Sequence, residues 1–196
     1  MALTNFESKD IHCKLVYLGA KSSGKSENLR AIYRRISADE DPSLHHYEDS
    51  ATSTNYFDFL PVSLGKWKDF HVKLHLFSIP LEKNIGYTSV KRAVMHGIDG
   101  FIYVADSRIE KLEESLDGLK SVLKILRDEG HNPLELPKAI QYNKRDLAGL
   151  VPTDLLSKEL NPSAWPDQEA IASQSVGTTE TLILVTKQIL KKLAQS

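Results

Sequence analysis

The sequence has few of the features that would place a chain outside the cell or in a membrane. It contains one cysteine among 196 residues, so it cannot form an internal disulfide. Cys13 falls within an apolar stretch, and we expect a buried thiol in a reducing compartment. No apolar run approaches the about 20 residues of a membrane span, and the termini show no secretory signal or lipidation motif. These absences predict a cytoplasmic protein without a lipid anchor or membrane insertion.

The charge balance and the length narrow the class of protein further. The chain carries 25 basic and 26 acidic residues, a formal net charge of −1, which argues against a general nucleic-acid binder. Hydrophobic residues make up 41% of the sequence, enough for a real core. The length suits one domain spanning residues 1–196.

Segments typical of strands alternate with segments typical of helices. This alternation predicts an α/β fold with a mixed, mainly parallel sheet and helices on both faces. We predict six strands, at residues 13–18, 56–64, 70–79, 100–105, 138–142 and 169–172. Helices are predicted at 27–36, 88–96, 112–126 and 181–193, and residues 37–54 are predicted to be polar and irregular.

A phosphate-binding loop is predicted directly after the first strand. Residues 19–26 read Gly-Ala-Lys-Ser-Ser-Gly-Lys-Ser and fit the pattern G-x-x-x-x-G-K-[ST]. The glycines let successive backbone N–H groups point at a phosphate, Lys25 can neutralise its oxygens, and Ser26 can offer its hydroxyl to Mg²⁺. A chance Gly/Ser loop is the alternative, but the strand before it and the helix after it favour phosphate binding. The predicted phosphate-binding residues are Gly19, Lys21, Ser22, Ser23, Gly24, Lys25 and Ser26.

A second loop, after the fifth predicted strand, has the pattern N-K-x-D. In it, Asp146 can accept hydrogen bonds from N1–H and the N2 amine of guanine, a donor pair that adenine lacks. Asn143 can hold the loop, and the stem of Lys144 can lie over the base. A helix cap with solvated charges is the alternative for so short a motif. Because a phosphate loop precedes it in the chain, we predict a guanine-nucleotide site.

These loops, together with segments 13–17, 57–61, 104–107 and 141–147, make the chain resemble Ras-like small GTPases. The resemblance is closer to the bacterial MglA-type polarity GTPases and covers nearly the whole chain. It implies the small-GTPase (P-loop) fold and a switch that binds GTP/GDP and Mg²⁺ and directs motility or surface machinery from a cell pole. It also implies roadblock-type activators and response-regulator-like adaptors as partners of a monomer. Ala172 and Ser173 fall where small GTPases brace the guanine with backbone amides.

The sequence departs from this family at the catalytic end of the site. Lys21 replaces a glycine that lies against the γ-phosphate; it either obstructs the attacking water or points to solvent. Leu81 and Glu82 replace the glycine that senses the γ-phosphate and the glutamine that orients the water. Leucine resists positive φ, and a triphosphate repels a carboxylate. Lys21 and Glu82 are therefore candidate catalytic residues of a site that hydrolyses GTP slowly.

The magnesium side of the site also departs from the usual pattern. Alignment with the family places Thr54 at the magnesium-sensing position and Ser53 where an arginine finger usually stands. Such a finger is worth about 10³–10⁵ in rate. As in the rest of this family, the aspartate that holds a magnesium water in most small GTPases is absent. Ser78 stands in its place, and Asp58 is our candidate to replace it. The alternative for Asp58 is an ordinary edge-strand carboxylate. The predicted metal residues are Ser26, Thr54 and Asp58.

Three functions remain open from the sequence. The leading one is a guanine-nucleotide switch with slow or assisted hydrolysis. The second is a pseudo-GTPase scaffold that binds nucleotide and acts through protein binding alone. A P-loop kinase is disfavoured by the N-K-x-D motif and by the lack of an arginine-rich lid.

Overall fold

The computed structural model describes residues 3–37, 43–49, 54–79 and 89–195, without the side chains of residues 48, 49, 54–56 and 90. Its strands are β1 Leu3–Asn5, β2 Asp10–Leu18, β3 His45–Asp49, β4 Thr54–Trp67, β5 Phe70–Ser78, β6 Gly100–Asp106, β7 Lys138–Asn143 and β8 Asp167–Glu169. Its α-helices are α1 Lys25–Ile36, α2 Ser89–Met95, α3 Leu112–Asp128, α4 Thr153–Leu160 and α5 Thr178–Gln195. Short 3₁₀ turns lie at Ile109–Lys111 and Ala172–Gln174.

The strands form one sheet in the order β3-β4-β5-β2-β6-β7-β8, and β1 pairs with β2. The pairs β2–β5, β2–β6, β6–β7 and β7–β8 are parallel, whereas β1–β2, β3–β4 and β4–β5 are antiparallel. Every residue of β6 and β7 is buried because helices cover both faces of these parallel strands. The loops after β2 and β7 therefore emerge at the same edge of the sheet, where α/β proteins bind ligands.

Alternating side chains of the central strands build a core on each face of the sheet. Leu15 and Tyr17 of β2 pack with Leu29 of α1 and Val185 of α5 on one face. On the other face, Val16 and Leu18 of β2 belong to a cluster with residues of α2, α3 and α4. Successive strand residues point to opposite faces, so one apolar strand supplies both layers. Cys13 is a fully buried, free thiol of the first layer, as its apolar neighbours predict.

The predicted fold class is confirmed, but the predicted number of six strands was wrong. The described residues contain eight strands. One of the additional strands, β3, lies in the segment predicted to be irregular, and β1 precedes the first predicted strand. The last strand ends at Glu169 and is followed by a 3₁₀ turn, where we predicted strand to residue 172. Helix α4 was not predicted, because its eight residues follow a proline and give a short apolar pattern. No helix among the described residues is long and apolar enough to cross a membrane.

Candidate functional site

The loop between β2 and α1 is held in a conformation that requires its two glycines. Gly19 has a φ of 148° and Gly24 a φ of 107°, both in the region that favours glycine. A Cβ on Gly19 would lie 2.3 Å from the carbonyl oxygen of Val104, and one on Gly24 would lie 2.1 Å from Nδ2 of Asn143. Neither position has room for a side chain. The loop thus packs its backbone directly against β6 and the end of β7.

Lys25 begins α1 and points its ammonium group into this loop. The residue is only 7% exposed, and its Nζ donates to the carbonyl oxygens of Gly19, at 3.1 Å, and Ala20, at 2.7 Å. The positive end of the α1 dipole lies at the same place. A buried cation, a helix N-terminus and a glycine-rich turn together favour an anion in the loop.

Asn143 joins three parts of the site. It ends β7, and its buried Nδ2 donates to the carbonyl oxygen of Ser23 in the first loop, at 2.8 Å. Its Oδ1 accepts from the backbone N–H of Ala172, at 3.0 Å. One side chain therefore fixes the loop after β2, the loop after β7 and the turn 172–174 relative to one another.

These three segments surround a cleft of about 170 Å³. Its lining includes six of the predicted site residues, namely Gly24, Asn143, Lys144, Asp146, Ala172 and Ser173. Asp146 and Ser173 are exposed at its mouth, whereas Asn143 and Ala172 are buried. The carboxylate of Asp146 is thus available to hydrogen-bond donors of a molecule that enters the cleft.

A buried pair of amide side chains connects α1, which follows the first loop, to β7, which precedes the second. Nδ2 of Asn28 in α1 donates to Oε1 of Gln141 in β7 at 2.7 Å, and Nε2 of Gln141 donates back to Oδ1 of Asn28 at 2.9 Å. The same Nε2 donates to Oγ1 of Thr181 in α5 at 3.0 Å. Sequence reasoning did not assign Asn28 or Thr181 to the site. The polar Gln141 in an otherwise apolar strand was the available signal, because a buried amide needs partners.

Two of the three predicted metal residues, Ser26 and Asp58, lie on either side of Ser78 of β5. Oγ of Ser26 is 3.3 Å from Oγ of Ser78, and Ser78 is the register partner of Asp58. The Asp58 side chain is 3% exposed and pairs with Nδ1 of His46 at 2.7 Å. Because β3 covers β4, the alternative of an edge-strand carboxylate at Asp58 was wrong. Three oxygen-bearing side chains thus follow one another from α1 to β4.

Comparison with known proteins agrees with this geometry. No protein-family model matches the chain. The chain is 35% identical over 193 residues to the mutual gliding-motility protein MglA of Myxococcus xanthus, which covers 98% of this chain and 98% of that protein. The chain belongs to the MglA-type small GTPases. The loop after β2, residues 19–26, is called the phosphate loop below, and the loop after β7, residues 143–146, the base loop.

Several residues that the MglA-type resemblance singles out lie partly or wholly outside the described part of the protein. Thr54 begins β4, but its side chain is not described. Neither backbone nor side chain is described for Ser53, Leu81 and Glu82. Lys21 is an exposed residue of the phosphate loop. The roles expected for these residues in hydrolysis therefore stay predictions.

Proposed function

We propose that this protein is a guanine-nucleotide switch that controls cell polarity, motility or surface machinery. The observation that carries the proposal is the cleft in which Asn143 ties the phosphate loop to the base loop. The cleft offers the carboxylate of Asp146 at its mouth, and the adjoining phosphate loop holds the buried ammonium of Lys25. A relative of matching length is named as a gliding-motility protein, which supports the cellular role.

The phosphate end of the site has the groups that a nucleoside diphosphate or triphosphate requires. Lys25 would face the β/γ oxygens, while the backbone N–H groups of residues 22–24 would surround the β-phosphate. Ser26, Thr54 and Asp58 are the proposed residues of a Mg²⁺ site, with Ser26 a direct ligand and Asp58 in the outer shell. Hydroxyl and carboxylate oxygens are the donors that Mg²⁺ prefers. A bound Mg²⁺ would neutralise charge on the phosphate oxygens.

We propose that hydrolysis by this site is slow. Lys21 is an exposed residue of the phosphate loop at the position where the family has a glycine, and a side chain there would crowd the attacking water. Ser53 cannot replace an arginine finger, and Glu82 cannot donate an amide hydrogen bond to water. An activator of the roadblock type would then supply what the chain lacks.

The proposed output is recruitment of adaptor proteins at a cell pole by a cytoplasmic protein. The recruiting surface includes β3 and β4, where exposed Tyr47 stacks on Phe57 with 4.5 Å between ring centroids. Trp67 lies half-buried at the end of β4, with Nζ of Lys68 over its ring at 4.6 Å. Aromatic groups of this kind often anchor partners. The proposed surface also includes the remainder of segment 37–54 and residues 80–88, of which residues 38–42, 50–53 and 80–88 lie outside the described part of the chain.

The second candidate is a pseudo-GTPase scaffold that binds nucleotide without cycling. The replacement of the family's glycine and glutamine by Leu81 and Glu82 favours it, because both groups act on the γ-phosphate. The two functions share the nucleotide site and differ in whether GTP turns over.

Guanine recognition by Asp146 is the most direct test of the proposed site. The Asp146→Asn variant keeps the shape of the side chain but loses the charge that strengthens two hydrogen bonds to guanine. We expect this to weaken GDP binding by about 2–4 kcal/mol, or about 30-fold or more in Kd. The assay is titration of fluorescently labelled GDP and ADP, and the wild type should bind GDP far more tightly.

The exposed Asp154 of α4 provides a matched control. The Asp154→Asn variant makes the same change in charge outside the cleft and should bind GDP like the wild type. Equal affinity of the wild type for GDP and ADP, or no loss in Asp146→Asn, would contradict the assignment.

A further inference from the structure

A buried carboxylate lies directly behind the base loop. Asp106 ends β6 and is the register partner of Asn143, so it sits beside the first residue of the N-K-x-D motif. Its side chain is 4% exposed. Oδ2 accepts from Nζ of Lys144 at 2.7 Å and from a terminal guanidinium nitrogen of Arg108 at 2.8 Å. Oδ1 accepts from Nε and the backbone N–H of Arg108, at 3.1 and 3.2 Å.

These contacts keep the Asp106 carboxylate charged. Burial by itself would raise the pKa of Asp106, but hydrogen bonds from Arg108 and Lys144 outweigh it and hold the pKa below the usual value. A charged acceptor strengthens the hydrogen bond to the Lys144 ammonium. Lys144 is therefore held by an ion pair that neutral pH leaves intact.

The backbone of Lys144 is also in an uncommon state. Its φ is 65°, in the left-handed region that residues other than glycine seldom occupy. The carbonyl of the preceding Asn143 accepts from the backbone N–H of Ser107, at 3.1 Å. Ser107, which follows β6, thus holds the backbone of the base loop at Asn143. Asp106 holds the side chain of Lys144 in the same loop.

A restrained lysine loses less entropy when a ligand binds against it. A free lysine side chain gives up much of its rotamer freedom when it is ordered. Asp106 has already ordered the Lys144 side chain, whose stem lines the cleft. Preorganisation of this kind increases affinity without a direct contact to the ligand.

We propose that Asp106 is a positioning residue that fixes Lys144 beside the nucleotide base and so sets nucleotide affinity. This inference rests on the proposed guanine-nucleotide function. Asp106 acts through Lys144, and Arg108 mainly neutralises the remaining charge of the carboxylate. A terminal guanidinium nitrogen of Arg108 also pairs with Glu110 at 2.6 Å, and the side chain of Glu110 is 67% exposed.

A double-mutant cycle at Asp106 and Lys144 tests the inference, with the Kd for labelled GDP as the measured quantity. The Asp106→Asn variant should bind GDP about tenfold more weakly than the wild type, since it loses a charge-assisted hydrogen bond that orders Lys144. In the Lys144→Ala background, the same Asp106→Asn change should alter Kd by less than about twofold. A purely structural role of Asp106 would give the same loss in both backgrounds and would overturn the inference. The control Glu110→Gln should leave the wild-type Kd unchanged.

A second comparison keeps the test decisive if Asp106→Asn fails to fold. Lys144→Met keeps a long apolar stem but cannot pair with Asp106, whereas Lys144→Arg can. We expect Lys144→Met to lose about tenfold in GDP affinity and Lys144→Arg to retain most of it. Wild-type affinity in Lys144→Met would overturn the inference. If the wild type itself binds no GDP, the proposed function fails, whereas additive losses in a protein that binds GDP refute only the role of Asp106.

Discussion

The side chain of Asn143 should be worth a large part of the protein's stability, even without a ligand. Replacing Asn143 with alanine removes a donor to the carbonyl oxygen of Ser23 and an acceptor for the N–H of Ala172. Both partner residues are buried, so water cannot readily replace the lost bonds. An unsatisfied buried polar group costs about 1–3 kcal/mol, so the variant should lose about 2–6 kcal/mol. Domains of this kind are stable by only about 5–15 kcal/mol.

Urea unfolding without nucleotide measures this loss as a difference in the free energy of unfolding. Asn5 is a matched control, because its Oδ1 also accepts two hydrogen bonds, from the backbone N–H groups of Glu7 and Ser8, at an exposed turn. Asn5→Ala should change stability by no more than about 0.5 kcal/mol, since water can replace both bonds. A loss below about 1 kcal/mol in Asn143→Ala would refute the reasoning, because Ser23 and Ala172 would then have found other partners.

Two further predictions concern the sheet and the catalytic end of the site. Burial, with the charges of His12, Lys14 and Lys73, lowers the pKa of His75, so the unfolded chain takes up a proton at a higher pH than the folded protein. The free energy of unfolding should therefore fall as the pH drops below about 6.5, by at most about 1.4 kcal/mol per pH unit from this group. Measured by urea unfolding, this fall should be smaller in His75→Asn than in the wild type. A variant of the exposed His71 should keep the wild-type pH dependence. Single-turnover assays should find GTP hydrolysis far below the about 5–20 s⁻¹ of an activator-stimulated small GTPase, and Glu82→Gln alone should restore little because positioning groups act together. A wild-type rate in that range would rule out slow intrinsic hydrolysis.

The sequence predicted where the two loops follow their strands, because each position depends on a short, local backbone pattern. A side chain at Gly19 would collide with Val104, and one at Gly24 would collide with Asn143. Glycine is therefore required at both positions, and the sequence shows this as two glycines at the spacing of the motif. The apolar strands β6 and β7 were equally visible, since both of their faces are buried. In these loops and strands, the residues preferred by the local backbone are also those that the packing of the whole fold requires.

The parts that sequence reasoning missed depend on partners distant in the chain. Strand β3 reads His-His-Tyr-Glu-Asp and lacks an apolar alternation, because pairing with β4 rather than core packing orders it. His75 of β5 is half-buried and lies 2.8 Å from His12 of β2, nitrogen to nitrogen, a contact between residues far apart in the chain. A polar residue in an apolar strand indicates that partners exist but not which ones. The pairing of Gln141 with Asn28 was invisible for that reason.

Ligand release is constrained by the amide pair that joins α1 to β7. Asn28 and Gln141 exchange two hydrogen bonds in the interior, and Thr181 of α5 accepts another from Gln141. A hinge motion that parted the phosphate loop from the base loop would break these bonds where no water can take their place. Escape past the exposed Asp146 and Ser173 at the rim breaks none of them. Under the proposed function, a bound nucleotide would therefore leave more easily by loosening of this rim than by separation of the phosphate loop from the base loop.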